Sequence, residues 1–181
     1  MKTYIKKMLL LPVVVIAGWA YASINNIGSH QGMDSHSPSM SNDEQIPDLK
    51  FKDENGEIVS MRSLKGKVVF INLWATWCPP CIHEMPSIHK LRQHFKDNDD
   101  LVFLMVDMDG NLKSAQSFMK RKKFDLPVHI PDSEIPHELF SGSIPTTIIV
   151  DKKNNIAIRR VGGADYMSKG VIDFMTDLLN E

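Results

Sequence analysis

The stretch Lys67-Val68-Val69-Phe70-Ile71-Asn72-Leu73-Trp74-Ala75-Thr76-Trp77-Cys78-Pro79-Pro80-Cys81 decides how the rest of this chain is read. Its first half is apolar, β-branched and aromatic, the pattern of a central strand buried on both faces. Its second half ends the strand and opens a helix. Beyond Cys81, Ile82, Met85, Ile88, Leu91 and Phe95 recur every three or four positions and form one apolar stripe. Pro79 and Pro80 fall at the first helical positions, where their missing N–H groups have no partner to lose. Pro86, deeper in the stripe, predicts a kink. Cys78 therefore stands at a helix N-terminus, where unpaired amides and the helix dipole favour a thiolate. Cys81 lies one turn on, within disulfide reach and more deeply placed. This arrangement implies thiol–disulfide exchange. Cys78 attacks a disulfide to form a mixed disulfide, and Cys81 then attacks Cys78 and frees the reduced product.

The chain contains 2 cysteines, both in this motif. A structural staple of this spacing closes a very small loop and gains little chain entropy. A zinc site would need a second pair, and His83 and His89 lie along the same helix as the first. His94, His129 and His137 likewise show no ligand spacing across elements, so no metal site is assigned to the domain. With no nucleotide or flavin motif, the redox-active disulfide itself is the expected cofactor.

The whole chain has a net charge of -1, which leaves no basic excess to neutralise phosphates and argues against nucleic-acid binding. That balance is uneven. Lys2, Lys6 and Lys7 open the chain without an acid before residue 23, so the remainder carries 18 basic against 22 acidic residues, a net of −4. Met8 to Ile16 follows as an uncharged apolar run, continued by Ala17-Gly18-Trp19-Ala20-Tyr21-Ala22. Residues 1–22 thus have the physics of an export segment. It is either a signal peptide cleaved after the small-x-small pattern Ala20-Tyr21-Ala22 or an uncleaved membrane anchor with its lysines held inside. Both readings place the remainder in the periplasm or at the cell exterior, and the anchor would tether it to the inner membrane.

Residues 23–45 are Ser-, Asn-, Gly- and Asp-rich and lack apolar periodicity, the mark of a flexible polar linker. They include His30, Met33, His36 and Met40, soft and imidazole ligand types that suit copper, or simply members of a polar tether. Residues 46–181 form the expected folded domain. Strands are predicted at Glu57 to Ser60 after the Asn55-Gly56 turn signal, at Lys67 to Trp74, Leu101 to Val106, Thr146 to Val150 and Ile156 to Val161. Helices are predicted after Cys78, over Asn111 to Lys123, and from Ser168 with Val171, Ile172, Met175, Leu178 and Leu179 inward. The order β-β-α-β-α then β-β-α gives an α/β domain with a central mixed sheet flanked by helices on both faces.

Trp74-Ala75-Thr76-Trp77-Cys78-Pro79-Pro80-Cys81, followed by Glu84-Met85-Pro86 and later by Ile144-Pro145-Thr146-Thr147, resembles the ResA/TlpA/CcmG branch of the thioredoxin superfamily over residues 46–181. The resemblance implies a thioredoxin-like fold and an exported, membrane-tethered disulfide reductase. It implies substrates such as the haem-binding cysteines of apocytochrome c, and electrons drawn from a membrane thiol carrier of the CcdA/DsbD type. It makes Pro145 a cis proline facing the active site, with Ile144 beside it in contact with substrate. It makes Glu84 an active-site carboxylate that exchanges protons with Cys81; a solvated helix charge is the other reading. Trp77, Pro79 and Pro80 are expected to meet the partner, while Trp74 packs in the core. Asn72 stands where classical thioredoxins have a buried aspartate, so a general base there is in doubt; a hydrogen-bonded strand residue is the reading adopted. Two other functions stay in view: an oxidant that introduces disulfides, and a copper-binding assembly protein of the same fold. Nothing in the pattern demands a dimer, and a monomer is expected.

Overall fold

The computed structural model describes residues 45–181. The expected export segment 1–22, the linker up to residue 44 and its four His and Met residues lie outside the described part. The described elements are β1 (Lys50–Asp53), β2 (Ile58–Ser60), a 3-10 turn (Met61–Leu64), β3 (Val68–Trp74), α1 (Pro79–His94), β4 (Leu101–Asp107), α2 (Leu112–Lys122), β5 (Val128–Pro131), β6 (Thr146–Val150), β7 (Ile156–Val161) and α3 (Lys169–Asn180).

The strands form one mixed seven-stranded sheet in the order β2-β1-β5-β4-β3-β6-β7. The strand anticipated from residues 67–74 lies inside it, flanked on both edges. All seven residues of β3 are buried, with β4 parallel on one side and β6 antiparallel on the other. The pleat divides its side chains. Val68, Phe70 and Trp74 enter a core shared with Met85, Ile88 and Leu91 of α1, Ala115, Phe118 and Met119 of α2, and Met175, Leu178 and Leu179 of α3. Val69, Ile71 and Leu73 point the other way, into a core with Phe51, Met61, Leu104, Val106, Leu139 and Ile148. The β3–α1–β4 and β4–α2–β5 units step in the same direction across the sheet, so right-handed crossovers put α1 and α2 on one face. The expected helices on both faces are thus met by α-helices on one face. On the other, the 3-10 turn and the chain around Leu139 form the cover.

Two strands go beyond the expected order. Lys50-Phe51-Lys52-Asp53 has Phe51 as its one fully buried side chain. Val128-His129-Ile130-Pro131 is interrupted by a histidine and ends in proline. Neither offers an alternation long enough to read. Both are specified by tertiary pairing: β1 is hydrogen-bonded between β2 and β5, with Phe51 opposite Val59 and Pro131.

Local signals explain the element ends. Asn111 caps α2, its Oδ1 accepting from the Ser114 amide at 3.0 Å, and Lys123 closes it in the left-handed region at φ 58. In the β6–β7 turn, Asp151 Oδ1 accepts from the amides of Lys153 and Asn155 at 2.9 and 2.7 Å. α1 continues through Pro86, whose ring lies on the exposed side.

Because Phe51 is the only fully buried side chain β1 contributes, Phe51→Ala is expected to lower unfolding stability by about 3–5 kcal/mol. Urea denaturation followed by tryptophan fluorescence measures this. A loss under about 1 kcal/mol would mean that β1 does not hold that face of the sheet.

Candidate active site

β3 delivers the chain to the site. After Trp74, a short loop closed by the Cys78 amide donating to the Ala75 carbonyl at 3.2 Å places Cys78 as the N-cap of α1. Pro79 and Pro80 occupy the next two positions, as their chemistry demands. Cys78 and Cys81 are joined in a disulfide with their Cα atoms 5.3 Å apart. The Cys81 amide also points at the Cys78 sulfur, N to Sγ 3.3 Å. An unpaired helix amide is therefore aimed at the atom that would carry a thiolate. The expected difference in burial is small: Cys78 is 3% exposed and Cys81 fully covered.

The rim of the site is apolar and open. Trp77 is 66% exposed, its ring fixed by an indole Nε1–H donating to Asp109 Oδ2 at 2.8 Å. Pro79 and Pro80 are exposed beside it. Trp74 is buried and packs on Phe118, ring centroids 5.5 Å apart. Ile144–Pro145 is a cis peptide at the head of β6. Pro145 is buried and Ile144 half-buried, and the Pro145 carbonyl accepts from the Gly162 amide at 2.8 Å. An open groove of about 670 Å³ runs from Pro80 and His83 along α1 to Gly163 and Met167.

Glu84, three residues after Cys81, is buried, which removes the reading of a solvated helix charge. Its Oε1 accepts from Asn72 Nδ2 at 2.8 Å and its Oε2 from the Ala164 amide at 3.2 Å. Burial outweighs these bonds and the nearby Arg160 charge, and pushes the carboxyl up to about 7. Asn72 is a hydrogen-bonded strand residue, as read. The unforeseen part is what lies behind it. Asn72 Nδ2 also donates to Thr147 Oγ1 at 2.9 Å, and Thr147 shares a 2.5 Å hydrogen bond with the buried phenol of Tyr166. Burial, with the Glu84 charge second, pushes that phenol up to about 12. The loop carrying Ala164 and Tyr166 passes beside the first turn of α1 at Gly163. A Cβ there would lie 3.5 Å from the Pro80 carbonyl oxygen and 3.8 Å from Glu84 Oε2. No sequence signal marks Tyr166, because nothing local ties a residue before α3 to one in β3.

The raised Glu84 pKa has a thermodynamic consequence. The folded state binds this proton more tightly than the unfolded chain, so the group favours folding below its ordinary pKa. The advantage is lost as pH rises through about 7. The oxidised protein is expected to lose about 3 kcal/mol more stability between about pH 4 and about pH 8 than Glu84→Gln does. Urea melts of both proteins across that range measure the difference. Parallel curves would show that Glu84 titrates as an ordinary carboxylate.

Known proteins share both the sequence and the fold that carry this site. The Redoxin family model matches residues 41–169. The chain is 30% identical over 166 residues to the thioredoxin-like protein YneN of Bacillus subtilis, covering 90% of this chain and 91% of that protein. It is 28% identical over 134 residues to a thiol-disulfide oxidoreductase ResA of Bacillus cereus, covering 74% and 77% of the two chains. The structure is similar to that of a secreted thiol-disulfide isomerase from Corynebacterium glutamicum, with a TM-score of 0.63 at 25% identity over 81% of this chain and 96% of the other. A disulfide at the start of a helix after a buried central strand, on this sheet and with these relatives, has one reading: the chain belongs to the Redoxin family and is a thiol–disulfide oxidoreductase of thioredoxin-like fold.

Proposed function

We propose that this oxidoreductase works outside the cytoplasm as a reductase of protein disulfides, with Cys78 as attacking thiolate, Cys81 as resolving thiol and Glu84 as the proton acceptor for Cys81. The carrying observation is the buried Glu84 carboxyl, one turn beyond Cys81, with a pKa raised to about 7. In the reductive direction the Cys78 thiolate attacks one sulfur of the substrate disulfide, and the other sulfur leaves and takes a proton. Ionised Glu84 then accepts the Cys81 proton. The resulting thiolate attacks Cys78 Sγ, closes the Cys78–Cys81 bond and expels the second substrate sulfur. A base that titrates near neutrality can take this proton and give it back when the pair is reduced again.

Trp77, Pro79, Pro80, Ile144 and Pro145 form the surface on which a substrate segment docks in this reading. The missing N–H of Pro145 leaves neighbouring backbone free for that segment. Apocytochrome c is the proposed substrate and a membrane thiol carrier of the CcdA/DsbD type the proposed electron donor, both as the resemblance to the ResA/TlpA/CcmG branch implies. The disulfide is the sole redox group in this scheme. Export is supported by the cationic, then apolar, segment 1–22 and by the likeness to a secreted isomerase. Among the described residues no helix is long and apolar enough to cross a membrane, so the proposed inner-membrane tether is assigned to segment 1–22.

The direction of electron flow is tested by the reduction potential of the Cys78–Cys81 pair, measured by equilibration with graded thiol/disulfide buffers. A reductase is expected to lie well below about −200 mV. A value near about −120 mV would place the protein among the oxidants that introduce disulfides and overturn the reading.

A further inference from the structure

We infer that Tyr166 and Thr147 are positioning residues for Glu84: acting through the side-chain amide of Asn72, they determine which end of that amide faces the carboxyl group. The inference deepens the proposed proton role of Glu84 and rests on it for its consequence in exchange.

The four side chains come from β3, α1, β6 and the loop before α3, and all are at most 3% exposed. Asn72 Nδ2 spends both hydrogens, one on Glu84 Oε1 and one on Thr147 Oγ1. Its Oδ1 is buried without a partner. A buried orphan acceptor is unfavourable, so this orientation persists only because something disfavours the reverse one. Turned by half a rotation, the amide would present Oδ1 to Glu84 and Thr147. Oδ1 could then accept from a protonated Glu84, and from Thr147 if its hydroxyl were free to donate. An ionised Glu84 would lose its donor. The amide orientation and the Glu84 proton are therefore coupled.

Thr147 controls that coupling, because its hydroxyl can either accept from Nδ2 or donate to Oδ1. Tyr166 settles the choice. When its oxygen accepts the Thr147 proton, Thr147 has only lone pairs to offer Asn72, and Nδ2 is held toward Glu84. Tyr166 also lines a pocket of about 360 Å³ with Arg160 and Ser168. The charged or titratable groups that act on Glu84 are Arg160 from β7 and Tyr166 from the loop; in the oxidised protein the two cysteines at the start of α1 are joined and do not titrate. From β3 and β6 come only the neutral Asn72 and Thr147.

The test follows Glu84 itself, by NMR of carboxyl-labelled glutamate in the oxidised full-length protein, with its signal assigned by its loss in Glu84→Gln. Thr147→Val and Tyr166→Phe keep the shape of each side chain and delete one hydroxyl. Each is expected to raise the proton affinity of Glu84 about tenfold, the effect of losing one hydrogen bond to the charged form. Thr147→Ser, which keeps the hydroxyl, is expected to restore the wild-type midpoint. Unchanged midpoints in the first two variants, or a Thr147→Ser shift as large as that of Thr147→Val, would overturn the inference. A shift in Thr147→Val alone would remove Tyr166 from the chain of contacts. The midpoints are read without any exchange reaction. Midpoints that shift as expected while the exchange rate ignores them would sink the proton role of Glu84 and leave the positioning standing.

Discussion

The carboxyl of Glu84 lies buried one turn beyond Cys81, and the polar groups near it are arranged around that burial. A carboxylate taken out of water is tolerated only when donors reach it. Here one donor comes from the middle of the sheet, at Asn72, and one from a loop amide, at Ala164. Those requirements reach far into the fold. β3 is otherwise apolar along its length, and its single polar residue lies on the face that α1 covers, beneath the redox helix. The loop from β7 to α3 must pass close to the first turn of α1, with Gly163 beside the Pro80 carbonyl oxygen.

The disulfide and the carboxyl share one helix for a physical reason. The start of α1 offers amides to a thiolate at Cys78. Further along, at Glu84, the side chain is buried, which makes charge costly and raises proton affinity. A nucleophile that must be ionised and a base that must hold a proton near neutrality need opposite environments. The helix supplies both within its first two turns: an amide aimed at Cys78 and burial without excess donors at Glu84. Trp77, held out on the surface by Asp109, extends the apolar rim without entering the core.

Legibility in the sequence followed the range of the interactions. β3, α1, α2, α3 and the β6–β7 pair were readable because apolar spacing, prolines and turn residues specify them locally. Cys78 and Cys81 came from a short motif in its strand-to-helix setting, and the cis Pro145 from resemblance to a family loop. β1 and β5 were not readable, since Phe51 and Val128 stand in segments too short and too polar to show a period, and only pairing across the sheet makes them strands. The cover over Val69, Ile71 and Leu73 was anticipated as helical, yet it is a 3-10 turn and irregular chain, which carry no periodic signature. The contacts of Glu84 were half legible. Its place after Cys81 was in the sequence, whereas Thr147 and Tyr166 are joined to Asn72 only by the folded sheet and the loop behind it.

Exchange in this scheme turns on a carboxyl group that changes its proton in step with the cysteine pair. The most direct measurement is the rate at which the reduced protein transfers electrons to a model disulfide, followed from about pH 5 to about pH 9 in wild type and Glu84→Gln. An inflection is predicted near pH 7 in the wild-type profile, where Glu84 titrates, and its loss in the variant, leaving only the thiol titrations. Superimposable profiles would contradict the proton role and would reduce Glu84 to a buried structural group.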